Sequence, residues 1–201
     1  MLVLRRLTKR YNKLAAPAVN AVSLGVERGE CFGLLGLNGA GKTTIFKMLT
    51  GDTLISGGDA QVAGRSVRAD MDSARRVTGY CPQFDALVPL LTVREHLELY
   101  SGLRGVPASA RAHTVRRCID LLGLGALEKS QARHLFGGNK RKLSVAIALV
   151  GDPLLVYMVG RAHIRQHERT VGIGLYVRPF LHTKCQCTIL YILIYRSEHA
   201  L

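Results

Sequence analysis

The sequence predicts an α/β fold with an antiparallel β layer at its N-terminus and an α-helical subdomain inserted into the core. Residues 2–8 and 19–26 alternate apolar and polar side chains with the period of half-buried strands. Residues 31–35 form a short apolar run typical of a buried strand, and a glycine-rich segment and a helical pattern follow it. From residue 92 to 124 two helical patterns succeed one another without a strand, so we place them in a separate lobe.

Composition places the chain among ordinary globular proteins of about one domain. Of its 201 residues, 48% are hydrophobic and 21% are charged. Lysine and arginine outnumber aspartate and glutamate by 28 to 14, which gives a formal net charge of +14, but the basic residues stand in short clusters separated by apolar sequence. Because there is no long basic tail and little aromatic interleaving, no dedicated nucleic-acid binding is expected.

The apolar stretches are too short for a membrane span, and the cysteines indicate a reducing compartment. The best stretches, residues 143–150 and 188–195, are well below the roughly 18 residues that a transmembrane helix needs. The 5 cysteines are an odd number without metal-type spacing, so we expect free thiols in a cytosolic setting. We therefore expect any membrane association to come through a partner or through sequence that this chain lacks.

The glycine-rich segment fits the phosphate-binding pattern of a glycine, four residues, and then Gly-Lys-Thr. Its residues are Gly36, Leu37, Asn38, Gly39, Ala40, Gly41, Lys42, Thr43 and Thr44. Glycines let successive N–H groups turn towards an anion, the lysine binds the β- and γ-phosphates, and the hydroxyl of Thr43 ligates their Mg²⁺. The preceding strand and the helix that ends at Gly51 supply the context that this pattern requires. The sequence therefore predicts a nucleotide site.

Tyr11 and Gln83 are further candidates, and each has an ordinary alternative. Tyr11 lies between the first two strands, where its ring can stack on adenine, although a loop tyrosine is usually part of the surface. Gln83 follows the strand Val77–Cys81 and Pro82, at the strand end where α/β folds place ligand groups. Its amide can accept a hydrogen bond from a Mg²⁺-bound water, or it can be a loop residue without a role.

Three later segments complete the pattern. Thr92 and Glu95 fit a capping box at the start of the first inserted helix. The stretch Gly137-Gly138-Asn139 opens another helix, and a helix N-terminus of this kind can hold an anion. Residues 154–158 have the continuous apolar character of a buried parallel strand.

Taken in this order, the segments resemble the nucleotide-binding domain of an ABC transporter, and most of all the A subfamily, which is associated with lipid export. The resemblance covers roughly residues 2–158. Residues 29–44 resemble the first nucleotide motif, residues 79–87 the Q-loop and residues 137–144 the signature. The resemblance implies a P-loop NTPase core of the RecA-like type that binds ATP and Mg²⁺.

The resemblance also implies roles and partners. It implies that Tyr11 stacks on adenine and that Gln83 links the γ-phosphate and its Mg²⁺ to transmembrane domains. The signature residues, Gly137, Gly138 and Asn139, would face ATP held by a second nucleotide-binding domain. Such a protein would work at the cytoplasmic face of a membrane. The implied ATP-binding residues are Tyr11, Gly36, Asn38, Gly39, Ala40, Gly41, Lys42, Thr43, Thr44 and Gln83.

The chain departs from the family pattern at two places. Phe136 stands where the signature has a serine, and Val159 and Gly160 stand where an aspartate and a glutamate should follow the strand. The metal-anchoring carboxylate and the general base are therefore missing, and no switch histidine is recognisable after residue 158. We assign no catalytic residue and expect no autonomous ATP turnover.

These departures define the expected organisation. We divide the chain into a partial ABC-type domain, residues 1–158, incomplete at its C-terminus, and an unrelated tail, residues 159–201. A non-hydrolysing regulatory module and a non-functional truncated product remain alternatives to an ATP-binding transporter domain. We expect an unpaired edge beside the strand at 154–158, and aggregation promoted by the uncharged β-prone stretch 188–195.

Overall fold

A computed structural model shows the arrangement of these segments. It describes residues 1–12, 15–34, 36–37, 39–160 and 189–194. Asn38, with its predicted role at the phosphates, lies outside the described residues, as does most of the predicted tail. The strands in the described part are β1 Leu2–Lys9, β2 Val19–Val26, β3 Cys31–Leu34, β4 Gly57–Val62, β5 Arg65–Ser66, β6 Thr78–Cys81, β7 Leu155–Gly160 and β8 Ile189–Ile194. The α-helices are α1 Lys42–Thr50, α2 Met71–Arg76, α3 Val93–Leu103, α4 Ala108–Leu121 and α5 Gly137–Leu149.

The N-terminal strands form an antiparallel sheet in the order β2-β1-β4-β5. Leu2 of β1 lies opposite Val26 of β2 on one side and Val62 of β4 on the other. All three side chains are buried, because alternation along each strand directs one set of side chains to the core. This confirms the predicted β layer, which β4 and β5 extend on the far side of β1.

The second sheet has the order β3-β8-β7-β6. β6 and β7 are parallel, with Thr78 opposite Leu155 and Cys81 opposite Met158. Because β7 lies inside the sheet, its residues 155–158 are buried. The buried parallel strand predicted from residue 154 is therefore confirmed, starting one residue later.

Strand β8 lies between β3 and β7 and is antiparallel to both. Leu190 pairs with Leu34 of β3 and with Val159 of β7. The expected unpaired edge beside β7 is therefore wrong, because β8 forms ladder hydrogen bonds with β7 on the side away from β6. The segment that was expected to promote aggregation supplies an interior strand of the sheet.

Helix α1 contributes to a hydrophobic core that includes residues of both sheets. Its Ile45, Phe46, Met48 and Leu49 are buried in the same cluster as side chains of β1, β4 and β7. The rings of Phe46 and Tyr157 meet edge to face, with centroids 5.5 Å apart. Burial raises the pKa of the Tyr157 phenol, and its hydroxyl has no hydrogen-bond partner among the described residues.

The inserted lobe consists of α3 and α4, which pack against α5. The predicted capping box is confirmed: the Thr92 hydroxyl accepts from the Glu95 N–H, and the Glu95 carboxylate accepts from the Thr92 N–H. A separate core of buried side chains joins the three helices: Val93, Leu97, Val115, Cys118, Ile119, Leu124, Leu135, Leu143, Ala146 and Val150. None of the helices in the described ranges is long and apolar enough to cross a bilayer.

Candidate functional site

Three strands of the second sheet end at the same edge. Because β8 is antiparallel to both β3 and β7, and β6 is parallel to β7, the strands β3, β6 and β7 share one direction. Their carboxyl ends therefore place the glycine loop after Leu34, Gln83 after Cys81, and Val159 along one edge. This is the edge at which parallel α/β sheets bind ligands.

The glycine loop, residues 36–41, passes close to the connection between β1 and β2. Gly39 and Gly41 both have left-handed backbones, with φ of 86° and 84°. A Cβ atom at position 41 would lie 2.4 Å from the carbonyl oxygen of Ala18, whereas a Cβ at position 39 would meet nothing within 4 Å. Gly41 is therefore required both for its backbone conformation and for the close approach, and Gly39 for its conformation alone.

The ammonium of Lys42 is enclosed by the loop. The residue is 5% exposed, and its Nζ donates to the carbonyl oxygens of Gly36 and Leu37, each at 2.6 Å. No ion pair in the described part of the chain includes this lysine, so its charge has only neutral partners there. A nearly buried cation held by carbonyl dipoles is a favourable place for a negatively charged ligand.

The N-terminus of α1 adds to this positive potential. Gly41 is its N-cap, no side chain caps the first turn, and no acidic residue lies there. The first N–H groups of a helix have no intrahelical acceptor, and the positive end of the helix dipole lies beside them. Thr43 and Ala40 are exposed and Thr44 is half-buried, so this end of α1 is open to solvent.

Tyr11 is half-buried in the connection between β1 and β2. The Lys9 ammonium lies 5.0 Å from the centroid of its ring, a cation–π contact, and also donates to the Leu54 carbonyl at 2.7 Å. The same connection touches the glycine loop at Ala18. The structure thus places the segment that carries Tyr11 next to the loop, and its role at an adenine ring stays a prediction.

Gln83 begins an exposed loop after β6. Its side chain is exposed, as is that of Phe84. The residues on either side of this pair are held by α5: the Pro82 carbonyl accepts from the Arg141 guanidinium, and the Asp85 carboxylate accepts from the Ser144 hydroxyl at 2.7 Å. The loop is therefore tethered on both sides of Gln83.

The end of β7 carries no acidic side chain. Val159 is half-buried and packs against the core that contains α1. No cluster of three or more histidine, cysteine or acidic residues that could hold a metal occurs in the described ranges. Thr43 and Gln83 offer neutral oxygens only, whereas Mg²⁺ is usually bound through one or two carboxylates together with substrate phosphates. The described residues at this edge of the sheet therefore do not make a full Mg²⁺ site.

The predicted signature opens α5 as a helix N-terminus. Phe136 is its N-cap and is 84% exposed, and no side chain caps this end. Gly137 and Gly138 are exposed, with nothing within 4 Å of an added Cβ at either position, and Asn139 is half-buried. This surface is open, and its role towards a second domain stays a prediction.

Sequence reasoning missed Arg141, Ser144 and Asp85. Arg141 and Ser144 lie one turn apart on α5, and Asp85 lies two residues after Gln83. Beside them, burial raises the pKa of the Cys81 thiol to about 11, an effect that the nearby Arg141 opposes and Asp85 reinforces. The helical spacing of Arg141 and Ser144 is visible in the sequence, but their partner across 59 residues is not.

Known proteins share the sequence pattern and the fold described above. A family model described as "ABC transporter" matches residues 19–158, which is more than half of the chain. The chain therefore belongs to the ABC transporter family, and its fold is that of the family's ATPase domains.

Its relatives include members of the A subfamily. The chain is 50% identical over 181 residues to ATP-binding cassette sub-family A member 7 of Rattus norvegicus, an alignment of 90% of this chain and 8% of that protein. It is 54% identical over 158 residues to the retinal-specific phospholipid-transporting ATPase ABCA4 of Bos taurus, covering 79% of this chain and 7% of the relative. The chain thus spans less than a tenth of these relatives. The 181-residue alignment also takes in residues after Met158, where the motifs showed no resemblance.

Solved structures share the fold. An ATP-binding subunit of an ABC transporter matches with a TM-score of 0.66 and 27% identity, over 78% of this chain and 64% of that chain. A dimeric structure of the ATP-binding cassette MJ0796 bound to ADP and Pi matches with a TM-score of 0.60 and 21% identity, over 78% of this chain and 72% of that chain.

Proposed function

We propose that this chain binds ATP through the glycine loop and the N-terminus of α1. The observation that carries the proposal is Lys42: an ammonium 5% exposed, bonded to the carbonyls of Gly36 and Leu37, at an uncapped helix N-terminus. An ammonium has three donors, so Lys42 keeps a donor for a phosphate while two hold the loop. The phosphates would lie over the N–H groups of Thr43 and Thr44 in the first turn of α1, because the Ala40 N–H already donates to the Leu37 carbonyl.

The adenine and the metal would be held at the sides of the loop. Tyr11, whose connection touches the loop at Ala18, is the proposed stacking partner of the adenine ring. Thr43 and Gln83 are the ligands that we propose for the Mg²⁺ that accompanies ATP, with Asn38 beside the phosphates. Because both residues are neutral, the nucleotide's own phosphates would supply the negative charge that the ion needs.

We further propose that the chain is the ATP-binding part of an A-subfamily transporter that moves lipid. The support is the identity of about half with relatives whose names include phospholipid-transporting ATPases. Transmembrane domains would then be its partners, at the cytoplasmic face of a membrane. A second nucleotide-binding domain would face Gly137, Gly138 and Asn139, as the dimeric solved structures of the same fold suggest for the family.

We propose binding without hydrolysis for this chain. Phosphoryl transfer to water needs an anchored metal and an oriented water, and the chain has Val159 and Gly160 where the family has the two carboxylates. As the second function, we propose that the chain regulates a partner instead of driving transport. Phe136, with no hydroxyl, favours that second function because it cannot reach a phosphate as the family's serine does.

Isothermal titration with ATP tests the binding proposal. Lys42→Ala removes the ammonium and should weaken binding by about 10- to 100-fold, the range of a hydrogen bond to a charged group. Lys47→Ala is the matched control, since Lys47 is an exposed lysine on the same helix. Equal affinity of the wild type and Lys42→Ala would show that the loop is not the site.

A further inference from the structure

Arg141 of α5 connects three parts of the candidate site. Its guanidinium donates to the Pro82 carbonyl, directly before Gln83, and to the Val159 carbonyl at the end of β7 at 2.8 Å. It also forms an ion pair with Asp85, with Nη1 and Oδ1 3.6 Å apart. The side chain is half-buried, so these contacts are partly shielded from water.

Ser144, one turn after Arg141 on α5, adds a second contact between this helix and the loop after β6. It is 4% exposed, and its hydroxyl donates to the Asp85 carboxylate at 2.7 Å. Residues three apart on a helix share a face, so Arg141 and Ser144 act on the loop together. They hold Pro82 and Asp85, the backbone and side chain that flank the exposed Gln83.

Only an arginine can make this set of contacts. Its planar guanidinium presents five donors in a fixed fork, which allows it to reach carbonyls on two elements and a carboxylate at once. A lysine carries the same charge as a single point and cannot span the Pro82 and Val159 carbonyls in one geometry. The arrangement ties the loop, the end of β7 and the helix that begins at Gly137 into one unit.

We propose that Arg141 is the positioning residue for Gln83, and that it fixes the Gln83 amide where the γ-phosphate of bound ATP would lie. The proposal rests on the proposed function, because it concerns the same nucleotide site. When Mg²⁺ is left out, the metal contact proposed for Gln83 plays no part. Since ADP has no γ-phosphate, Gln83 and Arg141 would then contribute to the affinity for ATP and not to the affinity for ADP. The two residues therefore set the discrimination between the two nucleotides.

The test measures dissociation constants for ATP and ADP without Mg²⁺, with the wild type, Gln83→Ala, Arg141→Ala and the double variant. We expect each single change to reduce the ratio of ATP to ADP affinity by about tenfold, the size of one hydrogen bond to a charged group. The double variant should show no further reduction, because both changes remove the same contact. ADP affinity should stay within about twofold throughout.

Two more variants test whether the loss of discrimination comes from a general disturbance of α5. Arg141→Lys keeps the charge and should still lose most of the discrimination, and Lys142→Ala, an exposed neighbour on α5, should retain it. Equal losses for ATP and ADP, additive losses in the double variant, or a wild type that binds both nucleotides equally would each overturn the proposal. ATP affinity that survives in Lys42→Ala would instead overturn the proposed nucleotide site.

Discussion

Replacing Gly41 by alanine tests the contact between the glycine loop and the connection between β1 and β2. Both Gly41 and Gly39 have left-handed backbones in the same loop, with φ of 84° and 86°. They differ in their surroundings, since an added Cβ at position 41 lies 2.4 Å from the Ala18 carbonyl oxygen and 3.3 Å from the Val19 Cγ2, and at position 39 it meets nothing. Gly39→Ala is therefore a matched control for the cost of placing an alanine in a left-handed backbone conformation.

The expected magnitudes follow from these distances. A left-handed conformation costs an alanine about 1–2 kcal/mol, and both variants lose this amount of unfolding free energy. Gly41→Ala must also move the Ala18 backbone, because real Cβ atoms essentially never approach closer than 3.0 Å. Overpacking of this kind costs about 1–3 kcal/mol. We expect totals of about 1–2 kcal/mol for Gly39→Ala and about 2–5 kcal/mol for Gly41→Ala.

Urea denaturation followed by circular dichroism measures the difference. Both variants should keep the wild-type dependence of the unfolding free energy on urea concentration, so that the shifts in midpoint report stability. ATP titration of the folded variants adds a second measure, since displacement of Ala18 would also displace the segment that carries Tyr11. Equal stabilities for the two variants, or a larger loss in Gly39→Ala, would refute the close contact at Ala18.

The remaining predictions concern turnover and pH. Purified chain should release phosphate from ATP no faster than Lys42→Ala, because losing a base or metal ligand typically costs about 10²–10⁴ in rate; turnover near one per second that disappears in the variant would contradict this. Burial raises the thiol pKa of both Cys81 and Cys118 to about 11, so the folded state keeps protons that the unfolded state releases above pH ~9. Stability should be intact below pH ~9 and fall by about 2–3 kcal/mol per thiol towards pH ~11. The double variant Cys81→Ala/Cys118→Ala should show a smaller decline, because only the raised pKa values of Cys31 and Tyr157 then contribute. Parallel pH profiles of the wild type and the double variant in urea denaturation would contradict the assignment.

Local signals in the sequence were sufficient to predict most of the strands and helices and the glycine loop. The alternation in β1 and β2, the capping box of Thr92 and Glu95, and the glycines around Lys42 all concern residues within a few positions of each other. The physical causes act over the same short distances: they are side-chain alternation, helix capping and the backbone freedom of glycine. The short helix α2 was missed, although Asp70 caps it through the Ser73 N–H.

The sequence by itself therefore determined most of the strands and helices, and it predicts where a phosphate would bind. The tertiary structure alone decided the partners of those segments. An uncharged β-prone run such as Ile189–Ile194 is compatible with any sheet edge, and only folding places it between β3 and β7. Likewise, the contact of Arg141 with Pro82 spans 59 residues, and no local pattern encodes it. Such contacts depend on the packing of α5 against β6, so they exist only once the core has formed.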